Sequence, residues 1–226
     1  MKTNFFSVIL ISGLLFLASS CKQSPSTNAT TDKDTDAVKV SMPMPPSSGK
    51  DDQLRSAMHK LWEDHVVWTR NVIFCMVDNL PGGDQATQRL LQNQDDIGNA
   101  VKAYYGADAG TRLSTLLREH IMIAADVIKA AKVNNKEALD KANKAWFDNA
   151  DAISAFLSGA NTNWPLGDMK MMMHDHLKLT TDEVVARIKK DYDGDIKAYD
   201  KVHEEILKMS DMLTDGIVKQ FPDKFN

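Results

Sequence analysis

Apolar residues recur every three or four positions from about residue 51 to residue 221, which is the spacing of a buried helix face. No stretch in this range alternates apolar and polar residues as a strand requires. Residues that end or begin helices interrupt the pattern, among them Pro81-Gly82-Gly83 and the capping-box-like Asn134-Asn135-Lys136-Glu137. The pattern predicts six helical segments, namely 51–79, 84–105, 109–132, 134–159, one that opens at Pro165 and breaks near Thr180 and Glu183, and 193–220.

The connections between these segments are only a few residues long. Short connections favour antiparallel packing of helices that follow each other in the chain. We therefore expect an all-α domain over residues 51–226, an up-and-down antiparallel helical bundle with a four-helix core and additional helices.

Four of the six histidines fall among apolar residues, each near the middle of a different predicted helix: His65, His120, His176 and His203. On the first helix, for example, His65 continues the spacing of Leu61 and Trp68. Because a helix rises about 1.5 Å per residue, the midpoints of antiparallel helices lie at one height. We therefore expect the four imidazole rings to converge inside the bundle.

Further polar residues fall at the same level. Asn93, Gln94 and Asn149 interrupt apolar stripes, Glu119 adjoins a histidine in sequence, and Asp200 precedes another by one turn. A buried polar group without a partner costs about 1–3 kcal/mol, so these groups must bond to each other, to water or to a ligand. Two interpretations stay open. One is a site for a transition metal or a metal-containing cofactor, and the other is a purely structural layer that fixes the register of the helices.

A metal site of this composition would suit zinc or copper, because imidazole nitrogen binds both. The predicted ligands are the four histidines and Asp200, supported by the neighbouring polar residues Asn93, Gln94, Glu119 and Asn149. Haem is the alternative cofactor, although covalent attachment is excluded because no Cys-x-x-Cys-His occurs. Residues 169–176 combine four methionines with two histidines, which offers a second interpretation as a copper(I) site.

Composition and charge exclude several classes of function. With 27 Lys and Arg against 31 Asp and Glu, the net charge of −4 offers no positive excess for binding nucleic acid. The sequence has no glycine-rich phosphate loop, so no nucleotide is expected. It also lacks a strong catalytic signature, which favours binding or interaction over an enzyme. An oxidoreductase built on the same histidines is the enzymatic alternative.

The first 20 residues have the form of a signal peptide, with Lys2 ahead of an apolar run, 5–17, that is too short to cross a membrane. The run leads into Leu17-Ala18-Ser19-Ser20-Cys21, which resembles the lipobox of bacterial lipoproteins. We expect cleavage before Cys21, its lipidation and anchoring to a membrane of the bacterial cell envelope. Residues 21–50, rich in Ser, Thr and Pro, would tether a domain outside the cytoplasm, periplasmic or on the surface. An ordinary signal peptide with a chance cysteine is the alternative.

Five longer motifs lie between about residues 55 and 225: Leu61-Trp62-Glu63-Asp64-His65, Leu90-Leu91-Gln92-Asn93-Gln94, Asn163-Trp164-Pro165-Leu166, Tyr199-Asp200-Lys201-Val202-His203 and Lys219-Gln220-Phe221-Pro222. In these motifs the chain resembles an uncharacterised family of bacterial all-helical lipoproteins and secreted proteins. Some members carry the label glycosyltransferase or acetylglutamate kinase, and no motif of either activity occurs here. The resemblance implies a helical domain and no particular activity.

Overall fold

The computed structural model describes residues 49–226, and within them the chain forms six α-helices and a short 3-10 helix. The helices are α1 Lys50–Asp78, α2 Gly83–Tyr105, α3 Ala107–Lys132, α4 Lys136–Ala160, α5 Leu166–Ile188 and α6 Tyr192–Gln220. Since no strand occurs in this part of the chain, the predicted all-α bundle is confirmed. The predicted signal peptide, the lipidated Cys21 and residues 22–48 of the predicted tether lie outside the described residues.

Each helix packs against the helices next to it in the chain, and α6 packs back against α1. The six helices therefore form a closed ring, in which α1, α3 and α5 also contact one another in the interior. All six contribute to the main core, with buried side chains such as Trp62, Leu117, Ile153, Leu177 and Ile206. Among residues 49–226, no helix combines the length and the apolar character that crossing a membrane requires.

Local sequence explains where several helices begin. The side chain of Asn135 caps α4 by accepting a hydrogen bond from the backbone nitrogen of Ala138, as its capping-box-like sequence predicted. The predicted break of the fifth helix near Thr180 is wrong, because α5 is continuous from Leu166 to Ile188. Thr180 and Glu183 are 4% and 1% exposed, so their side chains are directed into the bundle and cap no helix end.

Two glycines, Gly98 on α2 and Gly110 on α3, let the backbones of these helices approach closely. A Cβ atom added to Gly98 would lie 2.6 Å from the carbonyl oxygen of Gly110 and would collide with the side chain of Ser114. A Cβ atom added to Gly110 would lie 2.5 Å from the carbonyl oxygen of Gly98. The backbones of α2 and α3 are therefore in contact at a point where no side chain fits.

Replacing Gly98 with alanine should lower the free energy of unfolding by about 1–3 kcal/mol, because backbone atoms must separate to admit the new methyl group. Gly159 in α4 is the matched control, since a Cβ atom added there meets nothing within 4 Å. Gly159→Ala should leave stability unchanged or raise it by up to about 1 kcal/mol. Urea denaturation followed by circular dichroism measures both, and equal effects of the two substitutions would contradict the close approach.

Candidate binding site

Three of the four predicted histidines meet inside the bundle: His65 on α1, His120 on α3 and His176 on α5. The ring centroid of His176 lies 5.8 Å from that of His65 and 6.5 Å from that of His120. All three side chains are buried, with residues 3–5% exposed. They converge because each stands near the middle of one of the three alternate helices that touch in the interior.

The fourth predicted histidine, His203, lies elsewhere, and its prediction as a metal ligand is corrected here. Its side chain is 32% exposed, and Nε2 lies 3.0 Å from Oε1 of Glu63. The buried face in the first half of α6 carries Ala198 and Val202, so the predicted position, His203, is one residue past the buried face. One residue turns a helix by about 100°, which carries His203 away from the interior.

The two carboxylates predicted to lie beside the histidines do not lie in the interior. Asp200 and Glu119 are exposed, so neither is available to the three buried rings. The amide residues Asn93, Gln94 and Asn149 are buried as predicted. The Nδ2 atom of Asn93 donates to the Leu61 carbonyl at 3.0 Å, and that of Asn149 donates to the Leu116 carbonyl at 3.1 Å. These amides thus tie α2 to α1 and α4 to α3.

Both ring nitrogens of His120 are hydrogen-bonded to protein groups. Because Asn149 donates through Nδ2, its Oδ1 accepts, and His120 Nδ1–H donates to it at 2.8 Å. The indole Nε1–H of Trp146 donates to His120 Nε2 at 3.0 Å, which requires a lone pair on that nitrogen. Burial lowers the pKa of His120 to about 3, with a smaller contribution from His176. His120 is therefore a neutral imidazole of defined tautomer.

His65 is fixed as the opposite tautomer by Gln94. The Nε2 atom of Gln94 donates to the Leu90 carbonyl at 2.8 Å and to Oδ1 of Asn93 at 3.1 Å, so the amide nitrogen and not the oxygen faces His65 Nδ1, at 3.2 Å. Nδ1 of His65 consequently carries no proton. Burial lowers the pKa of His65 well below its usual value, and the nearby His176 and His120 lower it further. The neutral ring must then carry its proton on Nε2.

His176 is oriented by a carboxylate. Nδ1 of His176 lies 3.0 Å from Oε2 of Glu205, and since a carboxylate only accepts, Nδ1–H donates. When the ring is neutral, its Nε2 holds a lone pair. No residue between 49 and 226 makes a hydrogen bond to Nε2 of His176 or of His65.

The three rings line a cavity of about 90 Å³ between α1, α3, α4 and α5. Its other walls are mainly apolar side chains such as Ile121, Val127 and Leu139. Thr69 and Thr181 also line it, but their hydroxyls donate to the carbonyls of His65 and Leu177, one turn earlier. The hydroxyl of Thr180 is buried, and no group in the described part of the chain bonds to it. The cavity therefore offers a few unpartnered polar atoms within an apolar wall.

Within residues 49–226, no three His, Cys, Asp or Glu side chains are placed to hold one ion together. The hydrogen bonds also limit what the rings offer a metal, because His120 gives its lone pair to Trp146 and Nδ1 of His65 faces the amide of Gln94. Of the three rings, only His176 presents a lone pair. Met58 and Met173, the methionines near this layer, line a separate cavity of about 20 Å³.

A buried ionic cluster beside the cavity has no counterpart in the sequence patterns. Arg70 on α1 donates to Glu183 at 2.6 Å and to Asp195 at 3.0 Å, and Arg187 also reaches Asp195 at 3.2 Å. The ring of Phe74 lies between the two guanidinium groups, 4.6 Å and 3.9 Å from its centroid. Burial raises the pKa of Glu183 to about 7, although Arg70 opposes that rise.

Comparisons of this chain with protein-family models, with curated proteins and with solved structures found no match. The family resemblance drawn from the motifs therefore stays a prediction, and the candidate site rests on its own geometry.

Proposed function

We propose that this chain is a lipid-anchored protein of the bacterial cell envelope whose helical domain, outside the cytoplasm, binds a small molecule in the histidine cavity. The lipobox-like Leu17-Ala18-Ser19-Ser20-Cys21 supports the anchor, and the apolar run before it supports export. One observation carries the binding function. His65, His176 and Thr180 line one cavity, and Nε2 of each histidine and the hydroxyl of Thr180 have no hydrogen-bond partner among residues 49–226.

Unpartnered polar atoms inside a protein are costly, and native structures satisfy nearly all of them. Within the polar layer, His120, Asn93 and Asn149 follow this rule through direct hydrogen bonds. The buried Thr180 hydroxyl is an exception, and it belongs to a residue that lines the open space of the cavity. A ligand or ordered water in that space would supply the missing hydrogen bonds. The apolar walls favour a ligand that has apolar groups over water alone.

A transition-metal ion, zinc or copper, is the second candidate ligand. The observation that favours it is the meeting of three imidazoles within 6.5 Å, with a lone pair on His176 directed away from Glu205. Binding through all three rings would require the amide of Gln94 to reverse and the indole of Trp146 to leave His120. A purely structural layer is the third interpretation, favoured by the complete bonding of His120.

The full chain isolated from bacterial membranes in mild detergent should carry a small molecule, released by denaturation in methanol and measured by mass spectrometry. Ala124→Leu, which places three more carbon atoms in the cavity wall, should abolish its recovery. Ala145→Leu, the same change at an exposed position of the neighbouring α4, should not. A Cys21→Ser chain should leave the membrane fraction and still carry the ligand, which separates anchoring from binding.

The same preparations are analysed for metals. One zinc or copper per chain, lost in His176→Ala and kept in His174→Ala, would favour the metal over the small molecule. His174 is the matched control because its Nε2 pairs with Asp151 on the surface, 2.9 Å away. Recovery of neither a metal nor a small molecule, with Ala124→Leu as stable as the wild type, would contradict binding and leave the structural layer.

A further inference from the structure

We infer that the histidine cavity takes a small, neutral molecule with a hydroxyl group on an apolar body, in the class of phenols and short alcohols. This inference rests on the proposed function and names the chemical class of the ligand. It follows from the tautomers of the two rings, the free hydroxyl beside them and the size of the cavity.

The two unpartnered ring nitrogens are complementary. His65 presents Nε2–H, a donor, because the amide nitrogen of Gln94 faces its Nδ1 and leaves no acceptor there for a proton. His176 presents the lone pair of Nε2, an acceptor, because its Nδ1–H donates to Glu205. Their ring centroids are 5.8 Å apart, and no direct hydrogen bond joins the two side chains. A hydroxyl group both accepts and donates, so one hydroxyl placed between the rings satisfies both nitrogens.

Thr180 supplies a third polar contact in the same place. It stands four residues after His176 on α5 and lines the cavity, and its Oγ1 is buried without a partner. A threonine in a helix commonly bonds to the carbonyl one turn earlier, as Thr69 and Thr181 do here. Because Thr180 does not, its hydroxyl is free to bond to the ligand head group.

Charge and size limit the rest of the ligand. Burial lowers the pKa of His65 and of His120, so neither ring offers a counter-charge to an ion that would lose its hydration. A water molecule needs about 10–15 Å³ of such space, so a cavity of about 90 Å³ holds roughly six to nine non-hydrogen atoms. Phenol has seven, and its ring suits walls made of Ile121, Val127 and Leu139.

Calorimetric titration of the full chain, freed of metal with EDTA, compares phenol, anisole and benzene as probes. Phenol should bind one per chain. Anisole keeps an acceptor for His65 but has no proton for His176, and benzene has neither, so both should bind at least about tenfold more weakly. Thr180→Val, which removes a hydroxyl at nearly constant volume, should weaken phenol binding several-fold and leave benzene binding unchanged. Thr214→Val is the matched control and should change neither, because Thr214 is buried in α6, does not line the cavity and donates its hydroxyl to the Ser210 carbonyl at 2.8 Å.

Benzene or anisole binding as tightly as phenol would overturn the inference, and so would equal effects of Thr180→Val and Thr214→Val on phenol binding. If none of the three probes binds but a molecule of another class is recovered from the membrane-derived chain, the inference fails and the proposed function stands. If no probe binds and no molecule is recovered, both fail.

Discussion

Arg70→Met should lower the free energy of unfolding at pH 8 by about 3–5 kcal/mol, the cost of breaking a buried ion pair by removing one partner. The guanidinium of Arg70 donates to Glu183 at 2.6 Å and to Asp195 at 3.0 Å, and both acidic side chains are only 2% exposed. Asp195 keeps its contact with Arg187 in the variant. Glu183 keeps no ion pair within the described residues, so its buried charge is left uncompensated.

Arg70→Met should lower the free energy of unfolding less at pH 5 than at pH 8. Burial already raises the pKa of Glu183 to about 7, so at pH 5 this carboxyl is mostly protonated and needs its cation less. For the same reason Arg70→Met should lower the free energy of unfolding less in the Glu183→Gln variant than in the wild type. Urea denaturation at the two pH values, in a double-mutant cycle, measures the coupling between the two side chains.

Arg118→Met is the control, because Arg118 pairs with Asp95 at 2.9 Å through side chains that are 42% and 47% exposed. Exposed ion pairs contribute about 0–1 kcal/mol, so this variant should remain close to the wild type. If Arg70→Met costs no more than Arg118→Met at pH 8, the cluster around Glu183 does not contribute as its geometry implies.

Glu183→Gln should make the protein markedly more sensitive to acid. Between pH 6.5 and pH 4.5 the variant should lose about 2 kcal/mol more of its unfolding free energy than the wild type loses. The contrast arises because two sets of buried groups, the histidines and this carboxyl, act in opposite directions over the same pH range.

The signs follow from where each state binds protons. The folded-state pKa values of His65 and His120 lie below 6.5, the value in the unfolded chain. As the pH falls below 6.5, these histidines bind protons in the unfolded chain and not in the folded chain, so the free energy of unfolding falls. The folded-state pKa of Glu183 is about 7 against 4.5 unfolded, so the folded chain is protonated first and stability rises as pH falls from 7 to 4.5. Glutamine removes only the second contribution.

Chemical denaturation at half-unit steps from pH 4.5 to pH 7 measures the free energy of unfolding against pH for the wild type and for Glu183→Gln. Glu119→Gln, a change at an exposed residue, should reproduce the wild-type curve. A Glu183→Gln curve parallel to that of the wild type would show that Glu183 binds its proton alike in both states, contrary to its burial.

Much of the fold was predictable because helix formation is governed by local spacing. The apolar periodicity and the residues at the breaks gave six helices, and Asn135 caps α4 as its sequence indicated. The break expected in the fifth helix did not occur, since Thr180 and Glu183 resemble a capping pair in sequence but face the interior. A capping motif alone does not reveal which side of a helix is buried.

The candidate site was predicted in part. His65, His120 and His176 converge because they stand mid-helix on faces read correctly from the apolar stripe. His203 failed through an error of one residue in the stripe of α6, which rotates a side chain by about 100°. The pairing of Arg70 with Glu183 joins residues 113 positions apart, and no local pattern encodes which distant charges will meet.

The sequence by itself determined that residues 51–226 form a bundle of helices and that several polar groups must be buried at its middle, because periodicity and burial are local properties of each helix. Only the tertiary structure decided what that layer offers a ligand. Ring tautomers depend on whether Gln94, Asn149, Trp146 or Glu205 stands opposite each nitrogen. Those partners lie on other helices. They leave one hydrogen-bond donor on His65 and one acceptor on His176 at the cavity.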